Sequence, residues 1–128
     1  MIKSIEVIPF KHHVVFFINE SWESIDKYLD ENEEFIANID KVQRLYFSVM
    51  EGFSAAVTAF SENGNCYVFL RDLERIAVIA HEIIHVVYHI LNFVGIEHSR
   101  ETDEVYAYTT EYILEQILTA KSYEHKQI

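Results

Sequence analysis

Residues 76–96 read IAVIAHEIIHVVYHILNFVGI, an apolar run interrupted by His81, Glu82, His85, His89 and Asn92. The run is long enough to cross a bilayer. An ionisable group at the membrane centre costs about 2.5–3.5 kcal/mol on insertion scales, however, and no basic cluster flanks either side. A membrane role is therefore not expected, and the run reads as the core helix of a globular domain. Asp72 is suited to cap its start and Gly95 to end it. Ile76, Val78, Ile79, Ile83, Ile84, Val86, Val87, Ile90, Leu91, Phe93 and Val94 surround the axis. A helix apolar nearly all round is expected to be buried.

The polar exceptions are ordered. His81, His85, His89 and Asn92 fall at i, i+4, i+8 and i+11, so they form one seam. His81 and His85 stand one turn and about 40° apart, so both imidazoles can reach one ion from the same side. Glu82 lies beside them, offset toward where a metal-bound water would sit. This is the H-E-x-x-H arrangement, two metal ligands and a general base on one helical face. His81 and His89 are about 12 Å apart along the axis. One ion does not bridge that distance, which leaves His89 as a cleft residue supporting the site.

Composition sets the frame for this helix. The chain has 128 residues, half of them hydrophobic and 14% aromatic, which suits one globular domain over 1–128. The single cysteine, Cys66, fits a reducing compartment and reads as a small buried strand residue. The N-terminus lacks the pattern of a signal peptide, so the expected location is cytoplasmic. A net charge of −11 without a Lys/Arg cluster argues against a nucleic-acid partner. The acidic surface reads first as a solvated one. The run DENEE at 30–34 also suits a face that occupies another protein.

Around the helix, IEVIPF and VVFFI read as two strands about a KHH turn that includes His12 and His13. Asn19 or Ser21 caps a short helix with Trp22, Ile25, Tyr28 and Leu29 on one side. RLYFSV (44–49), AAVTAF (55–60) and Cys66–Leu70 are strand candidates, the last two joined by the hairpin signal ENGN. A second long helix is expected from Ser99 or Arg100 to about Ala120. The order ββαβββαα predicts an α+β domain, with a mixed or antiparallel sheet packed on the buried helix and a second long helix following.

A catalytic zinc takes three protein ligands and keeps one position open. In the second helix Glu104 follows His85 after eighteen intervening residues, with the small Ala107 three residues beyond. H-E-x-x-H, that gap and E-x-x-A together resemble the zinc-binding core of the gluzincin metallopeptidases, which include the thermolysin-like and M1-type aminopeptidase groups. HEIIH followed by DEVYA is similar to the latter group's H-E-x-x-H and N-E-x-x-A elements. The size and arrangement also resemble short bacteriophage-encoded proteins of metallopeptidase type. The match is confined to residues 81–107. It implies a zincin-like fold, with Zn2+ bound by His81, His85 and Glu104, and a water activated by Glu82 to hydrolyse a peptide or protein substrate. No G-A-M-E-N-like element precedes the helix, so aminopeptidase activity is not implied. The downstream domain that brings the usual Tyr or His to stabilise the oxyanion is not expected within residues 1–128. Here His98, Tyr106 and Tyr108 are the candidates for that role. The metzincin third histidine would fall on Leu91, which excludes that class.

Geometry keeps a second carboxylate in view. If the two helices are straight and antiparallel, Glu111 lies level with Ile83 and Glu104 only level with Ile90. Glu101, Glu104, Tyr108, Glu111 and Glu115 share one seam, so helical phase does not separate them. Glu104 ranks first on the E-x-x-A element, with Glu111 in reserve. In the zincin arrangement the substrate adds as a strand beside the active helix, and Cys66–Leu70 is the candidate wall of that cleft. Two rivals remain. One is a non-catalytic zincin-fold binding protein of phage or mobile-element origin that occupies a host protein through its acidic face. The other is a structural zinc domain whose fourth position is filled by a side chain. Nothing in the residues specifies an oligomeric state.

Overall fold

The structure, a computed structural model, describes the backbone of residues 1–126 and side chains through Tyr123. It contains β1 (Ile2–Val7), β2 (His12–Ile18), α1 (Trp22–Glu31), α2 (Ile39–Met50), β3 (Ala56–Phe60), β4 (Cys66–Leu70), α3 (Ile76–Phe93) and α4 (Asp103–Lys126). The four strands form one mixed sheet in the order β1-β2-β4-β3. Both outer pairs are antiparallel, and β2 pairs parallel with β4. The α+β expectation holds, in a three-layer form.

Strands β2 and β4 explain the layering. Val14–Ile18 and Cys66–Leu70 are buried without interruption, as central strands covered on both faces are. Their side chains alternate between two cores. Val15, Phe17, Tyr67 and Phe69 meet Ile25, Leu29, Val42 and Tyr46 of α1 and α2. Val14, Phe16, Cys66 and Val68 meet Ile79, Ile83, Ile90, Ile113 and Ile117 of α3 and α4. Because β4 is central, it is not the wall of an open cleft. The free edge on that side belongs to β3.

Three local expectations need correction. The segment Arg44–Val49 is helical, part of α2, and the element order is ββααββαα. Its buried residues, Val42, Tyr46 and Val49, recur at helical spacing once the window reaches back to Ile39. His12 and His13 lie at the start of β2 rather than in the turn. Helix α3 begins at Ile76, not at Asp72, whose Oδ1 instead accepts the Glu74 N–H at 2.9 Å and shapes the preceding turn. Other signals hold. Ser21 caps α1, accepting the Ser24 N–H at 3.1 Å. Gly95, at φ +86°, ends α3, with the Ile96 N–H returning to the Leu91 carbonyl at 2.8 Å.

The ENGN segment makes the β3–β4 hairpin, with Gly64 at φ +94°. A Cβ there would lie 2.7 Å from the Phe93 ring and 2.9 Å from the His12 ring. The hairpin turn is thus seated against the C-terminal end of α3. At the other flank, the Tyr112 hydroxyl of α4 donates to the Glu6 carbonyl of β1 at 3.1 Å. Helix α3 covers the β3 side of the sheet and α4 the β1 side.

Candidate active site

Helix α3 is long and apolar enough to cross a membrane, but it lies on the sheet. Ile79, Glu82, Ile83, Val86, Val87, Ile90 and Leu91 form its buried side. The other side departs from the expected all-round burial, because Ala77, His81, Ile84, His85, Tyr88 and Asn92 are exposed. There the two imidazoles meet. The Nε2 atoms of His81 and His85 stand 3.2 Å apart, with ring centroids 4.9 Å apart at 73°. Two nitrogens bound at 2.0–2.1 Å in a tetrahedral zinc site are separated by about 3.3–3.4 Å. The pair therefore fits two corners of such a site.

Glu82 points from the same turn toward the sheet. It is only 8% exposed, and its Oε2 accepts a hydrogen bond from the Thr58 hydroxyl of β3. A carboxylate buried this far requires a donor, and Thr58 is the polar residue that meets it. The space between α3 and the free edge of β3 is a cleft of about 300 Å³ lined by Ala55, Ala56, Ala77, Val78, His81 and Glu82. Three alanines line it beside His81, so no large side chain stands between the helix and the edge strand there.

The remaining seam residues part company. Each i to i+4 step advances about 40°, so two steps carry His89 about 80° around the axis from His81. His89 accordingly turns toward the hairpin and stacks on Phe60 at 4.1 Å. Its Nε2 is buried without a hydrogen-bond partner among the described residues. Burial, reinforced by the neighbouring His12, lowers its pKa. His98 donates its Nε2–H to the Asp103 carboxylate at 3.0 Å and packs against the rings of Tyr88 and Tyr106. The Tyr106 hydroxyl is occupied by the Ile96 carbonyl at 2.5 Å, and burial raises its pKa. Tyr108 faces solvent. Cys66 is buried in β4, which pushes its thiol pKa up and leaves it unreactive.

The third ligand position is different. Tyr88 meets Tyr106 at 4.9 Å, and Glu74 meets Lys121 at 3.9 Å. The two helices are therefore antiparallel in one register, which sets Glu111 level with Ile83 and Glu104 level with Ile90. Helix α4 buries Tyr106, Thr109, Ile113 and Ile117. Its seam of Glu104, Tyr108, Glu111 and Glu115 lies on the opposite side and is exposed, as is Glu101 in the turn before the helix. Among the described residues no three His, Cys, Asp or Glu side chains converge as a metal site. The structure brings His81 and His85 together, turns Glu82 of the same turn onto Thr58, and does not bring Glu104 or Glu111 to the pair.

Thr58 was not singled out from the residues alone. Its signal is a lone hydroxyl in the otherwise apolar strand AVTAF. No protein-family model, curated protein or solved structure matches the chain. The reading of this site rests on its motif and its geometry.

Proposed function

We propose that the chain is a zinc-dependent hydrolase of peptide bonds, a small zincin-like domain working in the cytoplasm on a peptide or protein substrate. The observation that carries this reading is the 3.2 Å approach of the Nε2 atoms of His81 and His85, the first of which lines a cleft together with Glu82. When bound, zinc would supply an acidified water and polarisation of the scissile carbonyl. Glu82 accepts the proton of the attacking water and passes it to the leaving amine. Thr58 holds the carboxylate oriented through its hydroxyl. The edge of β3 from Ala56 to Thr58 is the stretch on which an extended peptide would lie as an added strand, the Phe60 carbonyl being taken by the Ala37 N–H at 2.9 Å.

Glu104 is the third ligand in this reading, on the E-x-x-A element. Glu104 stands about 7–8 Å from the level of His85 along the axis and faces away from the packed side of α4, so reaching the pair requires the first turn of α4 both to shift and to rotate. A second reading is favoured by the exposed Glu seam of α4: a non-catalytic binder that occupies a host protein through its acidic surface. Zinc content by elemental mass spectrometry, followed by Glu82→Gln, separates the two. The hydrolase retains about one zinc per chain in the variant and loses turnover by a hundredfold or more. A binder keeps its activity unchanged. A chain that holds no zinc after incubation and buffer exchange sinks the hydrolase.

A further inference from the structure

The cleft continues beyond the histidines. Ala55 and Val78, which line it beside His81 and Glu82, also line a small recess with Leu70, Arg71, Asp72 and Arg75. Two arginines therefore mark one end of the groove in a chain of net charge −11. Neither forms an ion pair among the described residues. The guanidinium of Arg71 lies against Gly52, where an added Cβ would sit 3.4 Å from one of its nitrogens. The carboxylate in the recess, Asp72, accepts the Glu74 N–H at 2.9 Å.

Direction follows from the alignment of β3 with α3. Ala56 lines the cleft with Ala77, Thr58 meets Glu82, and Phe60 stacks on His89. The strand and the helix thus advance the same way. A peptide paired antiparallel to β3, the more stable pairing, starts at Thr58, because the Phe60 carbonyl is taken by the Ala37 N–H, and leads its C-terminal half toward Arg71 and Arg75. His81 and Arg75 are six residues apart on α3, about 9 Å along the axis. That is roughly three residues of extended peptide.

We propose that Arg71 and Arg75 form a carboxylate-recognition subsite at this end of the cleft, selecting peptides with a carboxylate two or three residues beyond the scissile bond. The proposal rests on the hydrolase reading for its direction, but recognition is measurable without turnover. Two sources supply that carboxylate, a chain terminus or an acidic side chain. The test uses the full chain carrying Glu82→Gln and three fluorescein-labelled peptides of otherwise identical sequence. One ends in a free carboxylate, one in an amide with Asp at the penultimate position, and one in an amide without Asp.

Fluorescence anisotropy should show at least one carboxylate peptide binding tenfold or more tightly than the neutral one, the arm that gains identifying the source. Arg71→Gln with Arg75→Gln should abolish that preference while leaving affinity for the neutral peptide and the circular dichroism spectrum unchanged. Equal binding of all three peptides, or a preference that survives the double substitution, overturns the subsite. Turnover by the unsubstituted chain is scored separately with the same peptides. A preference without turnover supports the subsite and counts against hydrolysis. Turnover without a preference overturns the subsite alone.

Discussion

Helices α3 and α4 each carry a polar stripe, and only that of α3 turns a side chain onto a neighbouring strand. On α3, His81 and His85 sit at the margin between solvent and the edge strand, with Glu82 turned beneath them onto Thr58. On α4, Glu104, Glu111 and Glu115 face outward, opposite Tyr106, Thr109, Ile113 and Ile117. A stripe becomes chemistry when packing directs part of it at a neighbour. Periodicity alone does not say which stripe that is.

The largest effect should come from the α3 stripe. His81→Ala with His85→Ala is expected to remove bound zinc to below a tenth of an ion per chain and to abolish turnover, with the fold intact by circular dichroism. These residues are exposed, and exposed substitutions of this kind change stability by about 0.5 kcal/mol or less. Global unfolding of the variant would mean that the pair is structural. The α4 stripe is tested next by Glu104→Gln and Glu111→Gln under zinc titration. Glu104→Gln should weaken zinc binding tenfold or more, and Glu111→Gln should not. Two silent variants would make the stripe a solvated face and break the three-ligand site.

Thr58→Val sharpens the α3 side. Loss of the hydroxyl leaves a buried carboxylate short of a donor, at a cost of about 1–3 kcal/mol. Chemical denaturation should read that cost, with a several-fold drop in kcat. The smallest effect concerns His89. Its folded pKa lies below the ordinary 6.5, so the unfolded chain takes up the proton first as pH falls. Stability should therefore be full above about pH 6.5 and decline below it, continuing until the folded imidazole also titrates. His89→Phe should flatten that part of the Tm–pH curve; an unchanged slope would assign it to other groups.

Much of this arrangement was legible in the residues. The motif placed two imidazoles and a carboxylate on one turn, and the straight antiparallel register foretold Glu111 level with Ile83. What escaped depends on contacts distant in sequence. Arg44–Val49 reads as a strand until Ile39 and Val42 are counted with it. Whether β3 or β4 is the edge follows from the parallel pairing of β2 with β4, which no local pattern contains. The outward face of the Glu seam depends on where α4 meets α3. His89 shares the seam on a helical wheel, yet the slow rotation of an i+4 series carries it onto Phe60.

The corner at Gly64 shapes the groove. Phe93 and His12 press on that turn, and His89 stacks on Phe60 a few residues along, so β3 and α3 are pinned together at one end. At the far end only Ala55, Ala56 and Ala77 stand between them and the arginines. The groove is therefore closed by aromatic rings at the glycine corner and lined by small side chains toward the arginine mouth, with the Thr58–Glu82 contact between the two ends.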